Sequence, residues 1–219
     1  MKTDEFIKLL AADLRPVRPL RPPWARALVW LGIAILYVAA VVWGKLMMVA
    51  PSQTLADPRF VIEQTATLVT ALTAAVAAFC SIVPGFDRRM LLLPLAPLAL
   101  WIASVGHGCV QDWLRFGADG LAIRPDWECL PSATIIGIIP AVAMVVMLRR
   151  GAPLYPRLTL ALGALAVAAI GNFGMQIFHF RDASIMMLFW HLGNVAVLSL
   201  LAGWLGEHVL GWRYAKAAR

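Results

Sequence analysis

Cysteine and histidine are the side chains best suited to redox or soft-metal chemistry, and the chain has three and four of them. Most fall in short polar breaks. "VGHGCVQDW" carries His107 and Cys109, "DWECLP" carries Cys129, and "FHFRD" carries His179. Thiolate and imidazole together favour copper(I) or zinc. Two cysteines flanking residues 110–128 could instead pair. Such a Cys109–Cys129 bridge would add about 3 kcal/mol in the chain-entropy picture. The plain alternative is that each cysteine is a small apolar packing residue, because the spacing matches no known ligand pattern. No resident cofactor is expected, only transient copper or zinc at this cluster. Cys80 lies inside an apolar stretch and reads as packing.

Other chemistry has little to work with. There is no phosphate loop, no nucleophile elbow and no HExxH. Serine and histidine lack a partner carboxylate at a sensible position, so no enzyme is expected. A membrane redox enzyme holding quinone or haem would have to draw on His107, His179 and His191.

The elements that position these residues are apolar. Of 219 residues, 61% are hydrophobic and only 14% charged, with a mean hydropathy of +0.78. Soluble domains carry about 25% charged residues. So few charges could not cover a globule of this size, and a bilayer removes the difficulty. Six stretches near the length of a membrane-spanning helix lie at about 27–49, 61–83, 90–109, 131–148, 158–178 and 184–206. Small residues at Ala71, Ala74, Ala75 and Ala78, and at Ala161, Ala164, Ala168 and Gly171, suit close helix packing. Gln64, Thr67, Thr70 and Thr73 form a polar row whose hydroxyls could bond across a helix contact or line a transport path. Glu63 and Glu207 lie at span ends, so no charge sits mid-membrane, where a coupled transporter would need one.

Charge sets the topology. The net charge is +7, yet of 19 Lys and Arg only Lys45, Arg59, Arg115, Arg124 and Arg181 fall on one side of the six spans. The rest, including Arg88, Arg89, Arg149 and Arg150, fall on the other, which places both termini in the cytoplasm. Trp24, Trp30, Trp204 and Trp212 are expected at the inner interface, and Trp43, Trp113 and Trp127 at the outer one. His107, Cys109, Cys129 and His179 then share the outer face, an oxidising compartment.

The first residues differ from all this. "MKTDEFIKLLAADLRP" is charged and ends at a proline. Thr3 can cap a helix, and Asp4 and Glu5 suit its first turn. Phe6, Leu9, Leu10 and Leu14 make one apolar stripe, with Lys8, Ala12 and Asp13 opposite. A helix this short is marginal alone and must dock. Its acidic residues oppose anionic lipid, which favours a protein groove. "RPVRPLRPPW" (15–24) then forms a stiff linker.

Several stretches in order resemble the negative-regulator-of-sigma-F family of six-span membrane anti-sigma factors. They are the opening "MKTDEFIKLLAADLRPVRPL", "DPRFVIEQTATLVTALTAAVAAFCSIVPG" (57–85), "DWECLP" (126–131), "LRRGAPLYPRL" (148–158) and "FWHLG" (189–193). The resemblance implies a protein that holds an extracytoplasmic-function sigma factor at the inner membrane and releases it on a periplasmic stress signal. The N-terminal segment is the implied sigma-binding part, and two periplasmic cysteines are implied sensors of oxidants or heavy metals. Cys129 matches the first of that pair. The second would follow His179, where Phe180 stands, so either Cys109 substitutes, with His107 or His179, or thiol sensing is lost. The family tyrosine of the "FWHLG" stretch is His191 here.

The expectation is therefore an all-α polytopic protein. Residues 1–22 form a cytoplasmic sigma-binding segment and linker, 23–212 a six-helix sensor domain, and 213–219 a cytoplasmic tail. Asp4, Glu5, Phe6, Leu9, Leu10, Asp13 and Leu14 bind sigma, and Cys129, Cys109, His107 and His179 sense the signal. The partners are an extracytoplasmic-function sigma factor and the lipid bilayer, with no direct nucleic acid. The rival is a small metal-handling or transport membrane protein.

Overall fold

The structure is a computed structural model and describes residues 3–12, 20–46, 58–117, 129–178 and 192–210. Its elements are α1 (Thr3–Ala12), α2 (Pro23–Leu46), α3 (Pro58–Cys80), a 3₁₀ turn (Arg88–Leu92), α4 (Leu95–Phe116), α5 (Cys129–Leu148), α6 (Pro156–Phe178) and α7 (Gly193–Leu210). No strand occurs among the described residues. Pro23, Pro58 and Pro156 each open a helix, where the missing N–H has no intrahelical acceptor to lose. The six helices after α1 are long and apolar enough to cross a membrane.

Their lateral faces show the same thing. Leu36, Leu200 and Trp204 are 75%, 74% and 69% exposed, among many other large apolar side chains. A monomer in water does not present so much apolar surface; hydrocarbon is the solvent these faces fit.

Successive helices run in opposite directions, and a set of polar contacts collects at one end of the bundle, here called proximal. The Ser81 and Thr159 hydroxyls share a hydrogen bond of 2.8 Å, joining the end of α3 to the start of α6. Arg149 Nε donates to the Val209 carbonyl at 3.0 Å. Arg157 pairs with Glu207 at 3.0 Å, exposed on both sides. The other end, distal, holds the start of α3 and the end of α4. At the centre α3 and α6 pack closely, since Ala71, Ala74, Ala75, Ala77 and Ala78 are all 0% exposed. Small side chains let the backbones approach, and dispersion contacts accumulate where hydrophobic driving force is absent.

Pro140 sits inside α5 and cannot donate to Ile136. Two side chains of α2 bond to backbone carbonyls of α5 near it. Trp30 Nε1 donates to the Pro140 carbonyl at 3.0 Å, and the Tyr37 hydroxyl donates to the Ile135 carbonyl at 2.7 Å. Trp30 is consequently 0% exposed. It is a core residue, which corrects its expected place in an interfacial belt. Trp24, Trp43, Trp113 and Trp204 are exposed, as belt residues must be; Trp127 and Trp212 lie outside the described residues.

The polar row of α3 also behaves differently from expectation. Thr67, Thr70 and Thr73 donate to the carbonyls of Glu63, Ala66 and Val69, four residues back on their own helix. The hydroxyls donate locally rather than across the helix contact. α4 extends to Phe116, beyond the expected end of its span at 109. Thus His107 and Cys109 lie within the helix, Cys109 about 10 Å short of its terminus along the axis. The last span was expected from 184; the described helix runs from Gly193 to Leu210, and residues 179–191 lie outside the described set.

One close approach makes a stability test. A Cβ on Gly206 would meet the Pro156 carbonyl oxygen at 2.5 Å and Arg157 Cα at 2.6 Å. Backbone cannot rotate away as a side-chain tip can. Gly206→Leu is expected to cost about 1–3 kcal/mol, read as a lowered melting temperature of the detergent-solubilised protein. An unchanged melting temperature would show that α6 and α7 are not in contact there.

Candidate functional site: an undocked N-terminal helix and a distal ion pair

α1 begins with Thr3, Asp4 and Glu5, which place acceptors and negative charge at the positive end of the helix. Every described side chain of the helix is exposed. Phe6 is 49% exposed and Ile7 57%. An apolar stripe in water is unstable, so the surface that covers it is not supplied by the described parts of this chain. Ile7 joins Phe6 among the exposed apolar side chains of α1. Ile7 stands three residues before Leu10 and seven before Leu14, the same spacing that marked the others, and it widens the apolar face. Asp4 and Glu5 lie on the described helix. Leu9 and Leu10 belong to it, but their side chains are outside the described set, and Asp13 and Leu14 are wholly outside it.

The foot of α2 anchors what α1 is tied to. Arg26 is only 6% exposed. Its guanidinium lies 4.6 Å over the Phe79 ring and donates to the Met147 carbonyl. Charge beside a π face and a carbonyl tolerates burial. Arg26 had been counted only as a topology charge. In the structure it clamps the first turn of α2 to the ends of α3 and α5.

The distal end holds the second constellation. Arg59 Nε pairs with Glu63 Oε1 at 2.9 Å, one turn apart on α3. Glu63 is 4% exposed. The Ser104 hydroxyl of α4 donates to the same oxygen at 3.4 Å. Gly108 makes the arrangement possible: a Cβ there would overlap the Arg59 guanidinium, which fills the notch that the glycine leaves. Cys109 is the next residue, a half-buried free thiol within the fields of Arg59, Glu63 and Asp112. His107 is exposed on the same stretch of α4. The structure thus brings Cys109 beside an ion pair that sequence reasoning did not assemble. The i, i+4 spacing of Arg59 and Glu63 was the available signal; the notch at Gly108 had none.

The remaining expected sensing residues are not described side by side. Cys129 opens α5, with its side chain outside the described set, and His179 and His191 lie outside it entirely. Among the described residues no three His, Cys, Asp or Glu side chains converge as a metal site. Cys80 is buried at the proximal end of α3, as a packing residue would be. Gln64 on the distal half of α3 and Asn172 and Gln176 on the distal half of α6 are also buried.

These features define a class: a polytopic helical membrane protein that carries an exposed amphipathic helix before its first span and a buried ion pair with a thiol at its distal end. The chain belongs to the negative regulator of sigma F family, whose model matches residues 10–212, nearly the whole length. The match begins at Leu10, so Asp4, Glu5, Phe6 and Leu9 precede it. No curated protein and no solved structure matches the chain.

Proposed function

We propose that this protein is a membrane anti-sigma factor that holds an extracytoplasmic-function sigma factor at the bacterial inner membrane and releases it on a periplasmic oxidant or heavy-metal signal. The family is one of negative regulators of a sigma factor. The observation that carries the reading is α1, whose described side chains are all exposed although the helix has an apolar stripe. Phe6, Ile7, Leu9, Leu10 and Leu14 enter an apolar groove on the sigma factor. Asp4, Glu5 and Asp13 face its basic DNA-contacting residues, so capture is steric occlusion of a DNA-binding surface.

The proximal end is cytoplasmic by the bias of Lys and Arg, and the distal thiols are periplasmic. α3 is the element common to both ends. It carries Arg59 and Glu63 at its start and Phe79, under Arg26, at its finish. Chemistry at Cys129 and Cys109 disturbs the distal contact of α3 with α4, and the shift reaches the foot of α2 and the linker to α1.

A reporter fused to a promoter of the sigma factor tests the role. Deleting the gene raises output without stress, and the full chain restores repression while a chain lacking residues 1–20 does not. Repression by the shortened chain would overturn the reading. The sensing arm has its own test. Cys129→Ser, and separately Cys109→Ser, are each expected to reduce induction by an oxidant or a soft metal ion several-fold. Normal induction in the double variant would remove thiols from the mechanism.

A further inference from the structure

An apolar cleft of about 550 Å³ opens at the proximal end, between the 3₁₀ turn with the start of α4 and the first half of α6. That is the size of sites that hold small ligands, about 300–1,000 Å³. Leu92 and Leu95 form one wall, Leu158 and Leu162 the other, and Arg88 and Arg89 border the same space with their apolar stems. Leu92 and Leu95 are 61% and 55% exposed, so the cleft is open to hydrocarbon from the side.

Its charge is one-sided. No carboxylate is among the lining residues. Asp87, the nearest acid in sequence, accepts from the Arg89 backbone N–H at 2.9 Å and caps the turn. Arg88 lies over the Tyr155 ring and donates to its hydroxyl at 2.8 Å, which fixes the guanidinium. Two adjacent cations therefore stand at the edge of a leucine-lined cleft.

We propose that this cleft binds an anionic phospholipid, with an acyl chain between Leu95 and Leu158 and the phosphate on Arg88 and Arg89. A zwitterionic lipid would bring its own ammonium to the same two cations. A free phosphate would leave the leucine walls unused. Basic sites between helices on the cytoplasmic side suit such headgroups, and each Arg near the surface strengthens anionic-lipid binding about fivefold. The site lies at the opposite end of the bundle from Cys109 and does not depend on sigma capture.

Native mass spectrometry of the delipidated full chain in detergent tests this, titrated with phosphatidylglycerol or phosphatidylcholine of matched chains. The wild type is expected to prefer phosphatidylglycerol at least about fivefold. R88Q/R89Q brings that ratio to one, R88K/R89K retains most of it, and Leu158→Trp, which fills the slot from an exposed position, weakens both lipids. Excess inorganic phosphate leaves the lipid in place. If R88Q/R89Q does not fold, R89Q alone is read in its stead, and its ratio must fall. Equal binding of the two lipids by the wild type, an unchanged ratio in the glutamine variants, or displacement by inorganic phosphate would each overturn the proposal.

Discussion

Replacing Phe6 and Leu10 together with aspartate is expected to abolish sigma-factor capture while leaving the membrane bundle intact. Phe6 is half exposed and belongs to neither buried core cluster, so its loss costs the fold little. At an interface the balance reverses. An aromatic anchor buried in a groove is worth at least about 2 kcal/mol on truncation, and a charge in its place costs more. Two such changes weaken binding by more than about a hundredfold. Co-purification of the sigma factor should disappear, and reporter output should match that of the gene deletion. The melting temperature of the solubilised protein should stay within experimental error. Retained co-purification would mean that the stripe of α1 is not the capturing surface. The conservative pair Phe6→Leu and Leu10→Met should keep most of the binding, which separates lost apolar contact from a general intolerance of change.

The second large effect lies at the other end of the molecule. Arg59→Met removes the partner of a carboxylate that is 4% exposed and accepts otherwise from Ser104. Breaking a buried ion pair from one side costs about 3–5 kcal/mol, because the remaining charge stays uncompensated. Arg59 is itself 30% exposed, which puts the expectation at the lower end of that range. Gly108→Leu should act on the same contact by a different route, evicting the guanidinium from its notch. Thermal unfolding in detergent checks both. The double change Arg59→Met with Glu63→Met should recover much of the loss, since two apolar side chains leave no orphaned charge. If Arg59→Met alone proved neutral, the pair would be ornamental and the distal contact of α3 with α4 would be held by apolar packing only.

The membrane spans were legible because lipid selects for length and apolarity, which a sequence shows directly. Their faces were not. α5 is apolar nearly all round, with no stripe to say which side meets α2, so the bond from Trp30 to Pro140 could not be foreseen. A tryptophan near a span end reads equally well as a belt residue or as a donor to a carbonyl of a neighbouring helix. Threonine is ambiguous for a related reason: the sequence shows a donor but not that the donor turns back to its own helix. Arg26 read as a topology charge, while its burial against Phe79 depends on three helix ends meeting, a long-range fact. α1 is the reverse case. Its amphipathic period is local, and the structure keeps it as an exposed helix from Thr3 to Ala12. The candidate thiol cluster was the least legible part. Cys109 belongs beside Arg59 and Glu63, a neighbourhood set by a glycine notch that no spacing rule reveals.

A photo-crosslinking residue placed at position 7 reads the central claim most directly, because Ile7 is 57% exposed on the stripe of α1. In unstressed cells the account predicts a single dominant crosslink to a sigma factor, fading when an oxidant or soft metal ion is added outside. A crosslink only to lipid, or a sigma adduct that persists unchanged through induction, would contradict it.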